Sequence, residues 1–192
     1  MHEHVRFVGT FLRRPIATGA VAPSSRWLAD RMVEGMGLRH AETVVELGPG
    51  TGAFTRRIQE EIAPTALFLA LEFDPHFAAT LTPAFPRVRV INDSAERLEH
   101  HLARNGRSSV DCVVSGLPWV AFTAATQERL LRAVARALRP GGRFATFAYI
   151  PAAWLPPGRR FRGLLAAHFS RVETTSVVWR NLPPAFVYRC VR

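Results

Sequence analysis

The sequence predicts an α/β fold built on a mostly parallel sheet. Apolar strand-like runs alternate with helix-like stretches from residue 43 to residue 150. The first run breaks into a glycine turn, Glu46-Leu47-Gly48-Pro49-Gly50-Thr51-Gly52, directly ahead of a helix pattern. At the carboxyl end, two β-rich segments flank the short loop Asn181-Leu182-Pro183-Pro184, which makes them antiparallel neighbours.

Residues 43–48 form the first strand. Val44, Val45 and Leu47 supply the apolar, β-branched run of a central parallel strand. Gly48, Gly50 and Gly52 remove side chains where the backbone turns sharply or approaches a ligand. Thr55 to Ile62 carries helix formers, and Leu67 to Phe73 is the second strand. Pro83 and Pro86 end a short helix before the third strand, Arg87 to Ile91. Val110 to Val114 is the fourth. A helix from Thr123 to Leu138 stops at Pro140-Gly141-Gly142, ahead of a fifth strand from Arg143 to Ile150. Phe161 to Phe169 reads as a helix, and Arg171 to Trp179 with Phe186 to Val191 as the closing pair.

A chain of 192 residues with 48% hydrophobic and 21% charged residues is one globular domain. Residues 1–40 are expected to form an amino-terminal helical cap on a core spanning 41–192. No apolar run reaches the roughly 20 residues that span a bilayer. The start, Met1-His2-Glu3-His4, lacks the apolar core of a secretion signal. Cys112 and Cys190 fall in apolar segments and read as buried thiols of a reducing, cytoplasmic compartment. The net charge is +10, and every basic residue other than histidine is arginine. Residues 155–192 hold seven arginines against Glu173 alone. Basic ends suit an anionic partner, a phospholipid membrane or RNA. Over residues 5–14, a helical projection gathers Val5, Phe7, Val8, Phe11 and Leu12 into one sector roughly 160° wide. Arg6 and Arg13 lie opposite, with Arg14 on the border, as in a helix lying in a membrane interface.

Ligands of such sheets bind outside the carboxyl ends of the strands, near the switch in strand order. Glu46 stands there, two residues before Gly48. A carboxylate at that position repels a pyrophosphate and attracts an amino-bearing or cationic ligand, which favours S-adenosylmethionine over a dinucleotide. Glu72 closes the second strand, where a carboxylate can accept both ribose hydroxyls; Phe73 and a rival acid, Asp74, follow it. Asp93, with Ser94 and Ala95, follows the third strand and can accept from the adenine amino group. Ser115 follows the fourth, beside the place to which the methyl would point. No metal is expected.

The order Val-Val-Glu-Leu-Gly-Pro-Gly-Thr-Gly, then Leu-Glu-Phe-Asp, then Asn-Asp-Ser-Ala resembles the class I S-adenosylmethionine-dependent methyltransferases, which have a Rossmann-like sheet and release S-adenosylhomocysteine. The segment from Phe11 to Ser25, with Ser115-Gly116-Leu117-Pro118 and Asn181 to Tyr188, is similar to the bacterial phospholipid N-methyltransferases. Those enzymes convert phosphatidylethanolamine stepwise to phosphatidylcholine. The resemblance covers nearly the whole chain, although the glycine motif is specific only to the superfamily. It implies a peripheral enzyme on the inner face of the cell membrane, with an anionic phospholipid surface and a phospholipid substrate as partners.

Within that reading, Tyr149 is the first candidate to touch the substrate amine. Trp119 is the second, as a cation–π wall. Arg180 and Arg189 flank the Pro183-Pro184 loop and are candidates for the lipid phosphate. His168 reads as structural. The ribosomal RNA adenine dimethyltransferases share the cofactor set, but their fourth strand is usually followed by Asn-Leu-Pro and an aromatic. Here Ser115 and Gly116 replace the Asn, so no stable nucleic-acid partner is expected. Methylation of RNA adenine or of a small amine stays open as an alternative, as does a cofactor-binding regulatory protein without catalysis.

Overall fold

In the computed structural model, residues 24–192 are described; the amphipathic segment carrying Phe7, Val8, Phe11, Leu12, Arg13 and Arg14 lies outside them. The strands are β1 (Thr43–Leu47), β2 (Leu67–Glu72), β3 (Arg89–Asn92), β4 (Val110–Ser115), β5 (Leu138–Tyr149), β6 (Arg171–Thr174) and β7 (Ala185–Val191). They form one sheet in the order β3-β2-β1-β4-β5-β7-β6. β1 to β5 run parallel, and β7 lies antiparallel between β5 and β6. Every residue of β1 is buried, as its apolar run predicts. The edge strands β3 and β6 are shorter and more polar, with Arg89, Arg171 and Glu173 exposed, which discourages further strand pairing.

The helices are α1 (Arg26–Val33), α2 (Ala53–Glu61), α3 (Pro75–Ala84), α4 (Leu98–Arg104), α5 (Ala124–Ala137), α6 (Ile150–Ala153) and α7 (Pro156–His168). Their starts follow local chemistry. Ser25, Asp74 and Thr123 each accept an amide of the first turn of α1, α3 and α5. Period-two alternation splits the core between the faces of the sheet. Val44, Phe68, Val114 and Ala145 pack under α1, α2 and α3, with Leu28, Met32, Ile58 and Leu81. Val45, Leu47, Leu69, Val113 and Phe144 pack under α4, α5 and α7, with Leu98, Leu131, Val134, Phe161 and Leu165.

Several boundaries differ from expectation, among them the helix expected from Phe161 to Phe169, which spans Pro156–His168, and the strand expected from Arg87, which starts at Arg89; three others have a clear structural cause. β5 starts at Leu138, because a register shift between Val110 and Cys112 absorbs Pro140-Gly141-Gly142 into the strand. β6 stops at Thr174; beyond it Thr175 N donates to Val187 O at 3.0 Å and Val178 bridges to Ala185. Pro83 sits inside the last turn of α3, which closes when Phe85 N donates to Leu81 O at 2.9 Å.

The chain runs outward from β1 to β3 and then returns to β4, so the strand order switches between β1 and β4. Leu47 pairs with Leu71 on one side and Ser115 on the other. That register brings Gly48, Glu72 and Gly116 to one level at the carboxyl end of the sheet.

Candidate active site

Gly48, Gly50 and Gly52 all have positive φ, at 68°, 55° and 85°. Gly50 N donates to Glu72 Oε2 at 2.9 Å, and a Cβ at Gly50 would meet open space. The turn therefore presents bare backbone outward while Glu72 holds it from behind. The turn after β4 presses on it from the other side. Gly116 N donates to Leu47 O at 2.8 Å, and a Cβ at Gly116 would lie 2.5 Å from Gly48 O. Only glycine at 116 permits this approach.

Glu46 is fully buried under this turn. Thr55 Oγ1, on the first turn of α2, donates to Glu46 Oε2 at 2.7 Å, while Oε1 has no hydrogen-bond partner. Burial pushes the Glu46 carboxyl up to about 8; the Thr55 hydrogen bond opposes this and the nearby Glu72 charge adds to it. A buried carboxylate oxygen without a donor is costly, and a cationic group within reach relieves it. Glu72 is also buried, its second oxygen accepting from Asp74 N at 2.9 Å, and burial raises its carboxyl too. Phe73, half-buried beside it, accepts from Asn92 Nδ2 at 3.0 Å through its carbonyl.

Asp93 is half-buried after β3. Its Oδ1 accepts from Ser94 N at 2.8 Å, and its Oδ2 lies 2.7 Å from His101 Nε2 and 3.1 Å from Arg97. Burial works against the charge, but the Ser94 amide, His101 and Arg97 together hold the carboxyl below its usual value. Ser94 caps a short helical turn, and Ala95 is buried within it. Ser115 is buried, its Oγ facing Leu117 N at 3.3 Å and Trp119 Nε1 at 3.2 Å. Ser115 thus shapes the turn after β4 from inside.

Tyr149 ends β5 and is half-buried. Its ring meets Phe147 edge-on at 5.2 Å, and Phe147 meets Phe54 edge-on at 5.8 Å. These three aromatics share the sheet face of Glu46. Burial raises the Tyr149 phenol above its usual value, so it stays neutral.

Two sequence expectations are corrected here. Trp119 is 2% exposed and stacks on Phe161 at 4.7 Å, with Phe122 and Phe144 edge-on around it. Its face is occupied by the core, so it forms no wall for a cation. Arg189 is turned the other way, toward α1, where it donates to Arg31 O and pairs with Glu34 at 2.9 Å. That contact holds the guanidinium against α1 and buries its Nε without a partner, away from the Pro183-Pro184 loop. Arg180 is exposed and lies over the Trp27 ring at 5.2 Å. His168 meets Glu128 at 3.1 Å between α5 and α7, a structural contact.

Thr55, Phe54, Phe147 and Gly116 were not foreseen as site residues. Phe147 could have been found, because it stands two before Tyr149 on one strand and so shares its face. Phe54 and Thr55 directly follow the glycine turn. The approach of Gly116 to Gly48 carries no local signal.

Residues 44–142 match the family described as a methyltransferase domain. Over 193 residues the chain is 34% identical to an ornithine lipid N-methyltransferase of Singulisphaera acidiphila, covering 99% of this chain and 96% of that protein. Its fold is similar to an O-methyltransferase from Bacillus cereus solved with SAH (TM-score 0.69, 16% identity, 97% of this chain and 91% of that one). It is likewise similar to the N-methyltransferase NodS from Bradyrhizobium japonicum (TM-score 0.67, 10% identity, 87% and 95%). The residues present fit S-adenosylmethionine. Glu46 holds an unpaired acceptor for a cationic group, Gly50 leaves room for close approach, and Glu72 and Asp93 line successive strand ends. When bound, this cofactor supplies an electrophilic methyl on a sulfonium. The chain belongs to the class I S-adenosylmethionine-dependent methyltransferases and, within them, to the family of bacterial lipid N-methyltransferases.

Proposed function

We propose that the chain methylates the primary amine of a membrane lipid, with ornithine lipid as the first headgroup to test and phosphatidylethanolamine as the second. The observation that carries this reading is the extent of the 34% identity. It runs through the whole chain and so includes the terminal segments outside the cofactor motif. The similarity of those same segments to phospholipid N-methyltransferases supports phosphatidylethanolamine. Among the described residues no helix is long and apolar enough to cross a membrane. The basic ends favour an anionic bilayer surface as the partner.

The chemistry asks little covalent work of the protein. The amine has to be aligned, stripped of water and deprotonated. Phe54, Phe147 and Tyr149 line an apolar approach in which desolvation favours the neutral amine over the ammonium. The Tyr149 oxygen accepts from the amine N–H. Because the phenol is raised and neutral, it orients the lone pair rather than taking the proton. Its ring can then face the methylated cation. Arg180 remains the candidate for the anionic part of the headgroup.

Purified chain, labelled S-adenosylmethionine and vesicles holding one lipid or the other should give label in the separated lipid fraction. No labelled lipid of either kind, with cofactor and vesicles both bound, overturns the reading. Tyr149→Phe is expected to lower kcat about tenfold, the value of one hydrogen bond to a charged or charging group. Tyr149→Ala should lower it roughly a further tenfold by removing the ring. Cofactor affinity should hold in both, and equal rates for wild type and Tyr149→Ala would remove Tyr149 from the site.

A further inference from the structure

Four large apolar side chains stand exposed at the carboxyl end of the sheet: Trp154 at 66%, Leu155 at 55%, Trp179 at 74% and Leu182 at 69%. Single exposed apolar residues are ordinary, but these converge on one strand end. Trp154 and Leu155 join α6 to α7, just past Tyr149. Trp179 and Leu182 lie between β6 and β7, in a loop that returns to the same place. Val178 bridges Ala185, Ala185 pairs with Tyr149, and Ile150 N donates to Pro184 O at 3.0 Å. α7 packs on the α5 side of the sheet, whereas Val178 packs on the α1 side. The two loops therefore flank the mouth of the site from opposite faces.

The charge left unpaired around them is positive: Asp30, Glu34 and Glu61 line the same cavity as Trp179 and Arg180, but each is held by Arg31, Arg57 or Arg189. Arg180 and Arg26 both lie over the Trp27 ring, at 5.2 and 4.7 Å, and neither makes an ion pair among the described residues. From 155 to the end, Glu173 is the one acid, and it is engaged by Arg171. Indole and leucine side chains framed by unpaired guanidinium groups match the boundary between acyl chains and anionic headgroups. Tryptophan and arginine also serve protein interfaces; what favours a bilayer is that they stand beside the mouth of a site proposed to take a lipid headgroup.

We propose that this rim docks the chain onto an anionic bilayer, with Trp154 and Trp179 entering the interface and the arginines around them meeting headgroup phosphates. The proposal rests on the lipid reading of the site and adds to it the surface by which that site faces the membrane. Docking here points the Tyr149 end of β5 at the lipid.

The test is tryptophan fluorescence of the full chain, in variants that keep one exposed tryptophan at a time over the constant background of buried Trp119. The probe is vesicles of phosphatidylcholine with brominated acyl chains, with or without phosphatidylglycerol. Emission from Trp154 and from Trp179 should shift blue and be quenched on vesicles containing phosphatidylglycerol. The double variant Trp154→Ser/Trp179→Ser should lose about tenfold or more in vesicle affinity, while cofactor affinity is unchanged. Bound vesicles without quenching, or a double variant that binds as well as wild type, would overturn the proposal. Shielding of both tryptophans from acrylamide in the vesicle-free chain would also overturn it, because the chain's own residues 1–23 would then cover the rim. Methyl transfer to lipid in detergent micelles separates the two ideas. Failure of the wild type there refutes the lipid reading, whereas a rim defect leaves micellar transfer intact and weakens only the vesicle reaction.

Discussion

Glu46→Gln is expected to weaken S-adenosylmethionine binding by about tenfold to a hundredfold, the effect of losing a charged partner in a buried site. It should do so without unfolding the cofactor-free chain, and it should flatten the pH dependence of both stability and binding. The reason is the burial of Glu46 with one oxygen unpaired. Its folded value of about 8 stands above the ordinary 4.5, so the folded state holds a proton that the unfolded state has released between those limits. Stability of the cofactor-free chain then falls as pH rises from about 4.5 to about 8 and levels off above it, with an upper limit on the order of 4–5 kcal/mol. Gln cannot ionise, so the variant should match or exceed the wild type in thermal stability at pH 8 and above.

Binding runs the other way. A cationic ligand favours the carboxylate, so wild-type affinity should climb toward pH 8 with release of a proton, and Glu46→Gln should show neither effect. Thermal melts across this pH range, with titration calorimetry in buffers of different ionisation enthalpy, measure both. A variant that binds cofactor as tightly as wild type at every pH would remove Glu46 from the site.

Gly116→Ala is expected to destabilise the chain by about 1–3 kcal/mol, the range for forcing a methyl into packed surroundings. For a domain of this size that lowers Tm by roughly 2–4 °C per kcal/mol. The clash is with backbone: the new Cβ would lie 2.5 Å from Gly48 O, and Phe54 stands 3.6 Å away. Neither turn can retreat cheaply. Gly116 N is tied to Leu47 O at 2.8 Å and Gly48 N to Leu71 O at 2.9 Å. The displacement falls on the cofactor turn, so affinity should fall more than Tm implies. Gly50→Ala is the contrasting change. Its φ of 55° costs about 1 kcal/mol for a residue with a Cβ, but nothing stands in the way of the methyl. If Gly116→Ala kept both Tm and cofactor affinity, the contact between the two turns would carry no weight in the site.

Legibility in the sequence followed the range of the interaction. β1, the glycine turn and the acids at the ends of β1, β2 and β3 were readable, because strand periodicity and positive-φ turns are written in adjacent residues. The limits of β5 and β6 were not. A bulge opposite Val110 and Cys112 and a single bridge at Val178 depend on the partner strand. Trp119 and Arg189 show the same limit for side chains. Each has a residue type that suits a lipid amine or phosphate, and each is committed elsewhere by a distant element: Phe161 on α7 for the first, Glu34 beyond α1 for the second.

What the sequence alone determined is the cofactor half of the protein: a doubly covered parallel sheet with a carboxylate and three glycines where the first strand ends. The tertiary structure decided which polar groups are spent and which are free. It buried Glu46 with one oxygen unpaired, closed Gly116 onto Gly48, and left Trp154 on one loop and Trp179 with Arg180 on another exposed at the carboxyl end of the sheet. Burial and pairing depend on which distant segments pack together, and that packing is set by the whole fold rather than by neighbours along the chain.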